Sequence, residues 1–287
     1  MDFWASDRTV RNLEQSLGIS YGQFLDRHDV DLRYIEGPRY IGPPMEPGAD
    51  IWGVKRSVVQ SGAGSAAEAY SEVTRAPLAD AETAEDVESY PGWPSPDWFD
   101  YAVIEAQCDA VLKGQRVAVF MGDRLNRVAQ LKPAMYIRGT EEIFLDMAGQ
   151  PDVARAVFRK IREFYLAYTE RILEAARGKI DIILTGDDFG AQNACLVSLP
   201  MWCEFIKPGF REYVDLIHRH GAKFMHHTCG AVADLIPDLA ECGLDVLQSV
   251  QPEAAGMALP ELLRAFGDRI CFQIGRASCR ERVCQYV

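Results

Sequence analysis

The sequence predicts an α/β fold, a TIM-type (β/α)8 barrel lacking its last βα segment, on three observations. From residue 96 onward helix, glycine and short strand alternate; the strands are near-continuous apolar runs; and polar residues gather where those strands end.

The units follow in order. Asp97 to Lys113 reads as a helix closed by Gly114, followed by the strand Arg116 to Met121. Pro151 opens a long helix with Val153, Val157, Ile161, Phe164, Tyr168 and Ile172 along one stripe, and the strand Ile180 to Leu184 comes directly after Gly178. Helix Met201 to His220 leads to strand Lys223 to His227, helix Ala231 to Cys242 to strand Asp245 to Val250, and helix Pro260 to Phe266 to strand Arg269 to Phe272.

The first ninety residues are less regular. They offer a strand-like Asp2 to Ala5, a helix near Arg8 to Leu17, a strand at Leu32 to Ile35 and a Gly/Ser/Ala-rich hairpin tip at Ser61 to Ala69. That makes seven parallel strands where a closed barrel needs eight. Residues 274 to 287 switch abruptly to Arg and Cys without periodicity and read like translated sequencing adapter, so the barrel is expected to occupy residues 1–273 and the tail 274–287 to be non-native. A barrel short of its eighth strand is expected to be poorly stable or inactive, because two strand edges stay unpaired.

Composition narrows the function. With 30 basic against 42 acidic residues the net charge is −12, which disfavours a nucleic-acid or anionic-membrane surface and favours a small-molecule substrate. Eight scattered cysteines and no apolar run near ~20 residues are the pattern expected of a soluble cytoplasmic protein.

In a barrel of this kind chemistry sits at strand C-termini. His227 and Cys229 are two apart at a strand end, so both face one side, and imidazole with thiolate suits zinc. A third ligand is expected from Cys195 or from the missing eighth strand. Asp187 and Asp188 follow the preceding strand; adjacent carboxylates face opposite ways, so one is expected to be catalytic at the mouth while the other caps backbone groups. Arg33 and Arg39 are candidates for clamping a carboxylated substrate, and Met121, Arg124, Asn126, Gln192 and Gln251 for lining the mouth. His226 should face the helical layer, and His218 and His220 suit a helix C-terminus.

The run His226-His227-Thr228-Cys229-Gly230, followed by Ile236-Pro237-Asp238-Leu239 and Asp245-Val246-Leu247-Gln248-Ser249-Val250-Gln251, resembles the uroporphyrinogen decarboxylase superfamily. Asp50-Ile51-Trp52-Gly53-Val54, Arg138-Gly139, Gly186-Asp187-Asp188-Phe189-Gly190 and Cys271-Phe272-Gln273 carry the likeness across residues 2 to 273. The resemblance implies one of two chemistries: cofactor-free decarboxylation of a porphyrinogen, or zinc-dependent methyl transfer between a corrinoid and a thiol. The first strand, Asp2-Phe3-Trp4-Ala5-Ser6, lacks the arginine-bearing run of the decarboxylases. His227 and Cys229 look like the first two zinc ligands of the methyltransferases. Methyl transfer is the leading expectation, with zinc as cofactor and a corrinoid, free or on a corrinoid protein, as co-substrate. Decarboxylation, and a corrinoid- or partner-binding barrel without chemistry, are the alternatives.

Overall fold

The computed structural model describes residues 1–61, 68–122 and 127–274, with the side chains of residues 7, 59–61 and 68–71 left out of the description. Six parallel strands form the central sheet in the order β1, β6, β7, β8, β9, β10. They are β1 (Leu32–Ile35), β6 (Val117–Phe120), β7 (Ile182–Gly186), β8 (Lys223–His227), β9 (Val246–Val250) and β10 (Cys271–Ile274). Two antiparallel pairs lie outside it: β2 (Arg39–Tyr40) with β5 (Phe99–Asp100), and the hairpin β3 (Lys55–Ser61) with β4 (Glu68–Arg75). The fold is the TIM-type α/β barrel architecture that the alternation predicts.

The helices are α1 (Asp7–Leu17), α2 (Tyr21–Arg27), α3 (Ala84–Ser89), α4 (Ile104–Lys113), α5 (Leu131–Arg138), α6 (Thr140–Gly149), α7 (Pro151–Ala176), α8 (Leu199–Met201), α9 (Lys207–Arg219), α10 (Ile236–Cys242) and α11 (Leu259–Phe266). The stripe read on α7 is buried at every position named, and each such side chain contributes roughly 1.5–3 kcal/mol by leaving water. No helix among the described residues is long and apolar enough to cross a membrane.

Period-2 alternation sorts the strands into two cores. Val119, Met121, Leu184 and Met225 pack inside the curved sheet with Leu32, Tyr34, Val117, Ile182 and Val246, while the much larger second core, including Phe120, Ile183, Phe224 and Leu247, lies between sheet and helices.

Two expectations need correction. Asp2 to Ala5 is not a strand: the Met1 carbonyl accepts from the N–H groups of Asp31 and Leu32, the Asp2 carboxylate meets the Tyr34 hydroxyl of β1, and the Phe3 ring turns away to pack on Tyr21 and Phe24. The helix expected from Asp97 begins at Ile104, because Pro96–Trp98 makes a single 3-10 turn and Phe99–Asp100 pairs with β2. The pair α5 and α6 was not foreseen. The hairpin read around Ser61 to Ala69 is flanked by the paired β3 and β4, and its tip at 62–67 lies outside the described residues, as does the tail from 275.

Candidate functional site

The Asp187-Asp188 pair divides its labour as adjacent residues on an extended segment must. Asp187 is 2% exposed and turns away from the mouth, where its Oδ2 accepts from the N–H groups of Gln130 (2.7 Å) and Leu131 (3.1 Å) and its Oδ1 from that of Lys132 (2.7 Å). It thus satisfies the first N–H groups of α5, which no intrahelical carbonyl can reach. Burial pushes its carboxyl above the ordinary range against the pull of those three donors. Of the two adjacent carboxylates, one expected at the mouth and one on backbone, Asp187 is therefore the helix cap, since both its oxygens are committed to backbone.

Asp188 faces the other way. Its Oδ2 pairs with the ammonium of Lys132, its Oδ1 accepts from the Cys229 N–H at 3.3 Å, and the same Oδ1 lies 3.5 Å from His227 Nε2. His227 Nε2 is in turn 3.5 Å from Cys229 Sγ. Burial alone would raise the Asp188 carboxyl; His227 and Lys132 outweigh it and hold it far below the usual carboxylate range. The same carboxylate holds the Lys132 ammonium above its ordinary value despite burial.

Asp188, His227 and Cys229 each offer one ligand atom, and the three atoms lie within 4.8 Å of one another. The edge of a tetrahedron around zinc, with bonds of about 2.0–2.3 Å, is about 3.3–3.8 Å. Two edges of this cluster are 3.5 Å, so the donor set of carboxylate, imidazole and thiol fits a divalent metal of zinc's size. Cys195 does not join it; its Sγ donates to the Ala231 carbonyl at 3.4 Å.

Two glycines bring the cluster together. Gly230 holds a φ of +82°, and a β-carbon there would stand 2.5 Å from the Ala191 carbonyl oxygen; one on Gly190 would stand 2.7 Å from the Cys229 oxygen. The loops after β7 and β8 can thus touch backbone to backbone, sealed by the Ala231 N–H donating to Ala191 O at 2.8 Å. Thr228 adds a clamp, its hydroxyl accepting from the Phe189 N–H at 2.9 Å.

Residues 129–273, just over half of the chain, match the family model described as uroporphyrinogen decarboxylase (URO-D). The chain belongs to the uroporphyrinogen decarboxylase family. Among solved structures it is similar to a methyltransferase from Methanosarcina mazei, at 12% identity, covering 83% of this chain and 67% of that one with a TM-score of 0.54. That likeness carries the fold. No curated protein matches the chain.

Other expected site residues of this URO-D-family chain scatter. Arg33 leaves the outer face of β1 and binds the Val30 carbonyl and Asp26 of α2 (2.8 Å), and Arg39 makes an exposed ion pair with Asp100 at 2.7 Å; neither is at the mouth, because both lie on the side of their strands away from the barrel interior or outside the central sheet. Gln192 is exposed and donates to the Glu253 carbonyl at 2.9 Å, and Gln251 is buried with its Oε1 accepting from the Gly230 N–H at 2.6 Å, so each ties one loop to another. Met121 does face the interior, 7% exposed. Arg124 and Asn126 lie outside the described residues. His226 faces the helical layer as expected, stacked near Phe189 and Phe224, its Nδ1 2.8 Å from the Thr185 hydroxyl; burial depresses its imidazole to about 3.

Two basic groups escaped the sequence reading. Lys132 on α5 reaches Asp188, and Arg127 packs over the bare α-carbon of Gly186 beside His227, its Nη2 2.9 Å from Met121 Sδ. The available signal was weak: a cation shortly after a barrel strand, with nothing to say which way it turns.

Proposed function

We propose that this chain catalyses zinc-dependent methyl transfer between a corrinoid and a thiol, with Asp188, His227 and Cys229 as the protein ligands. The observation that carries the reading is the three-donor cluster at the C-terminal ends of β7 and β8. Three protein donors leave one position for a substrate, the arrangement of catalytic rather than structural zinc. Zinc bound there would lower the pKa of a thiol entering the open position, so that the thiolate is the form presented to the methyl donor.

The chain's own groups favour that role. Cys229, 1% exposed, and the surrounding loops keep bulk water from the sulfur, while Lys132 balances the carboxylate charge of Asp188 and leaves Oδ1 facing the cluster. Met121 and Met225 belong to the apolar cluster inside the sheet, and the Arg127 guanidinium reaches Met121 Sδ at 2.9 Å. Porphyrinogen decarboxylation is the weaker reading, because Arg33 and Arg39, its expected carboxylate clamps, are engaged elsewhere.

Metal analysis of the purified chain, with Cys229→Ser and His227→Gln beside it, tests the proposal. About one zinc per chain is expected in the parent and a severalfold loss in each variant, together with thiol methylation from methylcobalamin by the parent alone. Metal contents indistinguishable among the three proteins, or turnover of uroporphyrinogen, would overturn it.

A further inference from the structure

The parallel register places Gly186, His227, Gln248 and Gln273 side by side on one rung of β7, β8, β9 and β10. At the far end of that rung, between β10 and β1, stands the carboxylate of Asp2. Its Oδ2 accepts from Gln273 Nε2 at 2.8 Å and faces Gln248 Nε2 at 3.4 Å, and Tyr34 of β1 donates its hydroxyl to both oxygens at 2.9 and 3.0 Å. Burial, and then the nearby Asp2 charge, push the Tyr34 phenol far up, so it remains a donor.

We infer that Asp2, acting through Gln248, sets the tautomer of His227, so that Nδ1 carries the proton and Nε2 turns its lone pair to Cys229 and Asp188. An ionised carboxylate only accepts, so an amide that faces it must present its NH2 end. That requirement orients Gln248, whose Oε1 then faces His227 Nδ1 at 3.2 Å. An acceptor facing Nδ1 calls for a proton there, and a neutral imidazole has one proton to place. Nε2 is left as the ligand atom. The opposing pull comes from Asp188 Oδ1, which would accept a proton from Nε2, but across the longer gap of 3.5 Å. Asp2, Tyr34, Gln248 and Gln273 are thus positioning residues, outside the ligand shell, of the kind that orients a metal-bound histidine.

The significance for metal binding rests on the proposed function, whereas the tautomer itself is a property of the metal-free chain. The test uses both. In metal-free protein labelled with 15N-histidine, at a pH above the ordinary range of imidazole titration, long-range proton–nitrogen correlation reads which ring nitrogen of His227 bears hydrogen; loss of the signal in His227→Gln assigns it. The parent is expected to hold the proton on Nδ1, Gln248→Leu to shift it toward Nε2, and the milder Asp2→Asn to give a mixture, because an Asn side chain no longer dictates which end of Gln248 it meets. Zinc competition against a chromophoric chelator is expected to weaken about 10- to 100-fold in Gln248→Leu. A parent protonated on Nε2, or a tautomer unchanged in both variants, overturns the inference. A parent that holds the proton on Nδ1 but binds no zinc leaves the inference standing and removes the metal reading instead.

Discussion

Gly190 and Gly230 face each other across two loops so closely that neither has room for a side chain, and between them they bring Asp188 of one strand end within hydrogen-bond reach of Cys229 at the next. Gly230→Ala would add a methyl 2.5 Å from the Ala191 oxygen and force an L-residue to hold a φ of +82°. A loss of about 2–4 kcal/mol is expected from the two effects together, read by urea unfolding. A loss below ~1 kcal/mol would mean that the loops separate cheaply and that the cluster is held by something else.

Asp187 makes the complementary prediction, because its value lies in backbone it satisfies and not in the mouth. Asp187→Ala leaves the N–H groups of Gln130, Leu131 and Lys132 without their acceptor, and is expected to cost about 3 kcal/mol or more. Asp188→Asn, at the mouth, gives up the Lys132 pair and is expected to cost less stability, about 1–3 kcal/mol, while lowering zinc content. The reverse order in denaturation midpoints would contradict this assignment of the two neighbours.

Asp245 governs the acid side. At the entry to β9 its Oδ2 accepts from the Phe224 N–H at 2.8 Å and meets His218 Nε2 at 2.7 Å, while Oδ1 meets Lys223 Nζ at 3.0 Å. Burial pushes this carboxyl up, but the three partners together pull it lower still, so its net pKa is depressed. A depressed carboxylate contributes stability that is complete above the unfolded-state value near 4 and drains away as pH falls below it. Asp245→Asn should therefore flatten the decline in unfolding free energy on the acid side of about pH 4, at a cost of ~1 kcal/mol near neutrality. Parallel pH profiles for the two proteins would rule that out.

The strand units after residue 96 were legible because a strand covered on both faces is apolar throughout and each helix before it is amphipathic; Val153 to Ile172 needed nothing beyond a 3.6-residue period. His227 and Cys229 were legible for a similar reason, since period 2 is local. Asp188 as their companion was not, because which of two adjacent carboxylates faces the mouth depends on where the N-terminus of α5 lies. Nor could sequence connect Asp2 with Gln248, 246 positions apart: a parallel register and the side-chain reach across the β10–β1 gap join them, and neither is written in any local pattern. Arg33 misled for a physical reason as well, because a basic residue on a barrel strand has even odds of facing outward, and here Asp26 of α2 waits on that side.

Lys132 gives the sharpest test of the charge balance at the cluster. Its ammonium pairs with Asp188 Oδ2, so without metal it shares with His227 the compensation of a carboxylate that burial disfavours. Lys132→Met removes that partner and is expected to destabilise the metal-free chain by about 1–3 kcal/mol. The sign reverses once a divalent cation is supplied. A neighbouring positive charge opposes cation binding, so its removal should tighten zinc, and zinc should then restore more stability to the variant than to the parent. Thermal melts of both proteins with and without zinc decide the matter: a larger metal-induced rise in Tm for Lys132→Met is expected, while an equal or smaller rise would mean that Asp188 does not share the cation and that His227 and Cys229 draw their third donor from elsewhere.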